Sequence, residues 1–277
     1  MYPESAHTSG ALDARSRELR LKAVTAFAAA RRGHLPSAFS LVEILRVLYD
    51  RVMRFDPVRP QWEERDRLIF SKGHGCLALY AILADKGFFP ESELLGFCQP
   101  EGRLGGHPEF GKVPGVEAST GSLGHGLSMG VGRALALRGQ GPRVFVLDSD
   151  GECDEGSLWE AALGAAKHRL DHLTVLVDCN HMQSYGSTAE VLPLDPLADK
   201  WRAFGIAAEE VDGHDPDRLE AALARVPFQP GRPSVLICHT VKGKGVPFME
   251  NNPSWHHKNR ATDAEIAAVR AALGEVR

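Results

Sequence analysis

Asp150 stands at the end of the apolar run VFVLDSDG, and Asn180 stands thirty residues on, at the end of a second such run, LTVLVDCN. A carboxylate and an amide carbonyl are hard oxygen donors of the kind that hold Mg²⁺ or Ca²⁺ and leave coordination positions for phosphate oxygens. If the two runs are parallel strands, both residues fall in the crevice beyond the carboxyl ends of the sheet, where open α/β folds bind ligands. Taken singly, Asp150-Gly151 also reads as a strand-ending turn and Asn180 as a loop opener. Taken together, they suggest two contacts to one ligand.

Histidines supply a second pattern. Five of the twelve directly follow glycine: His34, His74, His107, His125 and His214. Glycine permits tight turns that bring an imidazole and its backbone close to a ligand, so several such pairs in separate loops suggest a shared pocket. A zinc site is not indicated, because no HExxH pair occurs and the five cysteines are scattered without a CxxC pair. The same scattering argues against a disulfide framework and fits a reducing cytoplasm.

These residues need elements to position them. Residues 12–32 read as a helix ending at Gly33, and SLVEILRVLYDRVM as a second helix with Leu41, Ile44, Leu45 and Leu48 on one face. FDPVRPQWEERD is a proline-broken loop. The short apolar run LIF, at 68–70, precedes SKGHG and the helical pattern CLALYAILADKGF. From Gln99 to Gly126 the chain is too rich in glycine and proline for regular structure, which makes it the expected site loop. LSMGVGRALALRG resumes a helix. PRVFVL, LTVLV and PSVLIC are then continuous apolar runs separated by helical stretches, the pattern of a buried parallel sheet. The expectation is one α/β domain over residues 1–277, mainly parallel sheet with helices on both faces and an amino-terminal helical layer.

Composition narrows the class. The 277 residues are 43% hydrophobic and 25% charged, an ordinary globular balance, and the formal charge of −4 offers no chain-wide attraction to nucleic acid or an anionic membrane. No apolar run approaches the about 18 residues of a membrane span. The start MYPESAHTSG lacks a basic segment followed by an apolar core, so a soluble, untargeted, cytoplasmic protein is expected.

At the level of blocks the chain resembles a known family. SKGHG, GGHPE, TGSLGHGLSMGVG, SDGECDEGSLWEAA, LDHLTVLVDCNHMQ and TVKGKGVPFMENNPSWHH occur in the order of the amino-terminal half of transketolases. The resemblance covers nearly the whole chain and implies the diphosphate-binding domain of a thiamine-diphosphate enzyme. It implies that Asp150, Asn180 and the backbone carbonyl of Met182 hold a divalent metal, Mg²⁺ or Ca²⁺. Ser37, His74, Gly121, Ser122, Leu123, Gly151, Asn180 and Lys242 match cofactor-contacting positions. His34, His107 and His256 match histidines around the reacting carbons, His256 being preferred over His257 because it follows Trp255. Glu155, and after it Glu160, match glutamates of a carboxylate network at the subunit contact. Acids near a helix start also favour its positive end, which is the simpler account of that pair.

Departures from the family pattern are local. Ser149 stands where the metal turn usually has glycine, Leu35 follows His34 where proline is usual, and His125 replaces a common glutamine. A positive φ at Ser149 would be costly; any other backbone angle would leave the hydroxyl harmless. The resemblance stops short of the family's pyrimidine-binding half, which supplies the cofactor-activating glutamate, so that glutamate is not expected here. The resemblance therefore implies a transketolase subunit that works with a separate carboxyl-terminal subunit, in a two-of-each assembly, on a sugar or sugar phosphate. The α subunit of a 2-oxoacid dehydrogenase or decarboxylase is the enzymic alternative, against which SKGHG and the TVKGKG segment argue. A catalytically inactive binding subunit is the other.

Overall fold

The computed structural model describes residues 12–275. Its strands are β1 (Arg67–Phe70), β2 (Val144–Ser149), β3 (Leu173–Cys179), β4 (Ala207–Asp212) and β5 (Ser234–His239). They form one sheet in the order β1-β2-β3-β5-β4, every pair parallel. The helices are α1 (Ala14–Ala30), α2 (Leu35–Phe39), α3 (Val42–Val47), α4 (Cys76–Asp85), α5 (Gly126–Ala136), α6 (Gly156–Lys167), α7 (Thr188–Val191), α8 (Leu197–Ala203), α9 (Pro216–Leu223) and α10 (Asp263–Ala272).

Alternate strand residues point to opposite faces, and both faces are covered. Leu68, Phe145, Leu147, Leu176 and Leu236 share one core with residues of α1 to α4, α9 and α10, including Phe27, Phe39, Ile44, Leu79, Leu219 and Val269. Val144, Val146, Val175, Val177 and Ile237 share the other with Leu127, Leu158, Ala162 and Trp201 of α5, α6 and α8. Burial of each large aliphatic or aromatic side chain contributes about 1.5–3 kcal/mol, which is why the central strands read as unbroken apolar runs. This is the expected parallel α/β architecture with helices on both faces.

One boundary and one strand differ from expectation. α1 ends at Ala30 because Arg31 turns left-handed at φ 56, two residues before Gly33. β4 carried no apolar run in the sequence. It lies at the sheet edge, and only Ala207 of its residues is buried, so its pattern is half polar. The stretch between Gly96 and Gly126 contains no helix or strand, as expected. Buried Leu104, Val113 and Val116 anchor it.

A buried ionic cluster ties the amino-terminal helices to the loop after β5. The Arg20 guanidinium donates to both Glu43 oxygens, at 2.6 and 2.9 Å, and to the carbonyls of Phe39 (2.8 Å) and Lys244 (2.9 Å). His214 bridges Glu43 Oε2, at 2.8 Å, and the Val241 N–H, also at 2.8 Å. With the N–H of Val241 donating to Nε2, Nδ1 carries the proton toward Glu43. The cluster thereby fixes the backbone on both sides of Lys242.

Candidate active site

Register brings the two key strand ends together. Ser149 pairs with Asp178 across β2 and β3, so Asp150 and Asn180 follow one and two residues beyond that pair and line one cavity of about 220 Å³. Asp150 accepts from the backbone N–H of Gly151 at 2.8 Å and of His181 at 2.6 Å. Burial, then the neighbouring charge of Asp178, raises its carboxyl to about 7 against the opposing pull of Lys72. A buried carboxyl perturbed in this way is stabilised as the anion by a nearby cation. Asn180 and Met182 line the same cavity, and the donor set of carboxylate, amide and backbone carbonyl is all hard oxygen, which fits Mg²⁺ or Ca²⁺.

Asp178 lies immediately behind this group. It is fully buried, pairs with Lys72, and accepts from Ser40 (2.6 Å), Asn180 Nδ2 (3.2 Å) and the Thr240 hydroxyl. Burial raises its pKa, but the charge of Lys72 and these donors outweigh burial and hold it below the usual range. Lys242, also buried, donates to the Met182 carbonyl at 3.3 Å. Desolvation and the charge of Lys72 lower its ammonium to about 7.

Histidines from three separate segments meet at the other wall. His34 lies edge-on to His74, His256 and His257, with ring centroids 5.3, 5.5 and 4.9 Å away. Burial first, then the charge of His257, lowers the His34 pKa to about 4. Its Nδ1 lies 2.9 Å from the His256 carbonyl. The neutral ring therefore donates from Nδ1 and keeps Nε2 as an acceptor. Burial and then Lys242 lower His256 to about 3. Its Nε2 lies 3.2 Å from Ser184 Oγ, and its buried Nδ1 has no hydrogen-bond partner among the described residues. Burial also lowers His107.

Glycine is required where the site loops cross. A Cβ at Gly73 would sit 2.8 Å from the backbone of Thr120 and Gly121, so the SKGHG and TGSLG segments can touch only without one. Gly121 has φ +147, and a Cβ there would lie 2.8 Å from His107 Cδ2. Ser149, by contrast, has an extended backbone at φ −135 that any residue adopts, and its hydroxyl lies 3.2 Å from Glu152 Oε2. The replacement of glycine there carries no backbone cost.

Of the residues singled out from the sequence, His34, His74, His107, Gly121, Leu123, Asp150, Gly151, Asn180, Met182, Lys242 and His256 line this cavity. Four do not. Ser37 is fully buried in α2, and its hydroxyl lacks a partner among the described residues. Ser122 is exposed, and Glu155 and Glu160 are exposed at the start and in the second turn of α6. Two of the five Gly-His pairs also lie elsewhere: His125 is exposed beside the Leu123 carbonyl, and His214 serves the Glu43 cluster. Lys72, Asp178, Gln183, Ser184 and His257 were not singled out. Lys72 lay within the quoted SKGHG block, and Asp178 was an acid inside an apolar run, a signal of buried charge that could have been used.

Residues 13–276 match the family model described as the transketolase, thiamine diphosphate binding domain. The chain belongs to the transketolase family. It is 43% identical over 239 residues to the 6-deoxy-6-sulfo-D-fructose transketolase subunit of Clostridium sp. (strain MSTE9), spanning 86% of this chain and 87% of that protein. It is 44% identical over 239 residues to an apulose-4-phosphate transketolase subunit of Actinobacillus succinogenes, spanning 85% of this chain and 86% of that one. The solved transketolase from Leishmania mexicana superposes with a TM-score of 0.86 at 28% identity. That match covers 96% of this chain but 42% of the Leishmania chain, so the fold is that of one part of a longer transketolase. The expected family and thiamine-diphosphate-binding fold are thereby borne out. No helix among the described residues is long and apolar enough to cross a membrane.

Proposed function

We propose that this chain is the diphosphate-binding subunit of a transketolase that moves a two-carbon ketol unit from a ketose to an aldose, together with a subunit carrying the pyrimidine-binding half. The observation that carries the reading is the single cavity in which Asp150, Asn180 and Met182 face His34 and His256. The naming of two relatives of matching length as transketolase subunits supports the need for a partner. A two-of-each assembly, with Glu155 and Glu160 at the contact, accords with their exposure on α6.

Asp150, Asn180 and the Met182 carbonyl would hold Mg²⁺ or Ca²⁺. Gly151 and His74 would contact the diphosphate, Lys242 would contact the cofactor, and Gly121 and Leu123 would shape the slot beside it, whereas Ser37 and Ser122 lie outside this cavity. Bound there, thiamine diphosphate supplies the carbanion chemistry that breaks and remakes the ketol carbon–carbon bond. His34 offers a neutral Nε2 to a sugar hydroxyl, and His256 and His107 are further neutral rings able to take or return a proton. The one relative is named for a sulfonated fructose and the other for a phosphorylated sugar. A sugar substrate with an anionic end is accordingly the class proposed here.

The test is reconstitution. The chain, its partner subunit, thiamine diphosphate and Mg²⁺ are assayed with ketose donors with and without a phosphate or sulfonate. Ketol transfer that needs both subunits and favours an anionic sugar is expected. Full activity from the chain alone would overturn the split site, and 2-oxoacid decarboxylation without sugar turnover would overturn the reaction class.

A further inference from the structure

The end of β3 carries a second constellation on the other face of the sheet. Asp178 points toward Lys72 and Ser40, whereas Cys179, one residue on, belongs to the opposite core. Cys179 closes β3 and His239 closes β5, and the two are direct partners across the parallel ladder. His181 follows in a left-handed turn at φ 59, which swings its ring back toward the same place. One ligand atom from each of Cys179, His181 and His239 lies within 4.8 Å of the other two. The sulfur is 3.9 Å from both ring nitrogens of His181, and the two imidazoles stack with centroids 5.8 Å apart and planes 18° apart.

We propose that Cys179, His181 and His239 bind a divalent cation of the zinc class, with Glu210 orienting His239 and a fourth position open to solvent. His239 Nε2 lies 2.7 Å from Glu210 Oε2, so donation to that carboxylate leaves Nδ1 as the ligand atom. A carboxylate behind an imidazole is the usual way in which a metal-bound histidine is held. A cavity of about 440 Å³, lined in part by Cys179, His239, Asp195 and Asp199, gives the ion access and leaves room for water or a small anion.

Bond lengths set the adjustment needed. Zinc bonds of about 2.0–2.3 Å place tetrahedral ligand atoms about 3.3–3.8 Å apart, so the three groups close by roughly 1 Å. His181 and His239 are only half-buried and can turn by that much. Sulfur with two imidazoles selects zinc-class ions over magnesium. The ion is therefore chemically distinct from the hard cation proposed at Asp150 and Asn180. The two sites still share a segment, because the His181 peptide N–H donates to Asp150 while its ring faces Cys179. No contiguous motif announces the site, since its ligands come from two strands and a turn.

Co²⁺ serves as the probe. The full chain, stripped of metal and kept in excess Mg²⁺, is titrated with Co²⁺ and then with Zn²⁺. About one equivalent of Co²⁺ is expected to give a near-ultraviolet thiolate-to-metal band that Zn²⁺ abolishes. Cys179→Ser should remove the band, and His239→Asn should weaken binding by about tenfold or more. His257→Asn should leave binding unchanged, which separates this site from the His34, His256 and His257 group. Absence of the band in the folded wild type would overturn the proposal. So would a band that survives Cys179→Ser, or binding abolished by His257→Asn and retained in His239→Asn. If Cys179→Ser fails to fold by circular dichroism, His181→Asn and His239→Asn decide, and unchanged affinity in both sinks the site.

Discussion

Asn180 donates its side-chain amide to the buried carboxylate of Asp178 at 3.2 Å, while its carbonyl oxygen accepts from the Met182 N–H at 3.1 Å. Asp178 is itself fixed by Lys72, Ser40 and Thr240. The carboxylate is thus an anchor that sets which way the Asn180 amide faces. Asp178→Asn removes the charge opposite Lys72 and leaves the amide free to turn. Mg²⁺-dependent binding of thiamine diphosphate to the assembled pair should weaken by about 10- to 100-fold. Isothermal titration calorimetry reads this directly, and an unchanged affinity would take Asp178 out of the positioning role.

Asp150 is the charged member of the proposed metal grip, so its loss should be felt more than that of a neutral ligand. Asp150→Ala should abolish saturable Mg²⁺-dependent cofactor binding, and Asn180→Ala should weaken it. Fluorescence quenching on cofactor addition, measured with and without a chelator, distinguishes the two. Equal affinity in wild type and Asp150→Ala would break the assignment.

What the sequence disclosed depended on how local the signal was. The buried strands β2, β3 and β5 were legible because residues apolar on both faces leave a continuous run. β4 was not, because an edge strand in which only Ala207 is buried, with Glu209 and Glu210 at its centre, resembles a polar loop. The Gly-His pairs pointed to a pocket, and three of them reach it. Sequence could not separate these from His214, whose partner Glu43 lies 171 positions away. The acid at Asp178 stands out within its apolar run, but its role was not legible, because its partners Lys72, Ser40 and Thr240 come from three distant segments.

Gly121 lets the imidazole of His107 lie against the backbone. Gly121→Ala would meet His107 Cδ2 at 2.8 Å and hold an L-residue at φ +147. The loop or the ring must move, and a displacement of this kind costs about 10- to 100-fold in kcat/KM. Steady-state kinetics of the reconstituted pair, with the cofactor Kd measured beside them, should show the loss. A variant with wild-type kcat/KM would mean that the His107 position is unimportant.

The neutral state of His34 has a readable pH signature. Its folded pKa is lowered to about 4 by burial and then by His257, against about 6.5 in an unfolded chain. Between these values the unfolded state binds the extra proton. Stability therefore falls as pH drops from about 6.5 to about 4, and this contribution is fully present above that window. His34→Asn should flatten this part of the stability curve. In NMR the His34 ring signals should stay in their neutral positions down to about pH 5; titration near 6.5 would refute the assignment.

The Arg20–Glu43 pair should be the most sensitive point of the helical layer. Both side chains are buried, and Glu43 also accepts from His214. Burial alone would raise the Glu43 carboxyl, but the charge of Arg20 and the His214 hydrogen bond hold it well below the carboxylate range. Its stabilisation is present above the unfolded glutamate pKa of about 4.3 and is lost as pH falls through and below it. Glu43→Ala leaves a buried guanidinium uncompensated, which should cost about 3–5 kcal/mol in urea unfolding near neutral pH. The double variant Arg20→Met/Glu43→Leu removes both charges and should recover much of that loss. A single variant as stable as wild type would show that the pair carries little of the fold; a double variant no better than the single would place the cost in lost packing rather than in the orphaned charge.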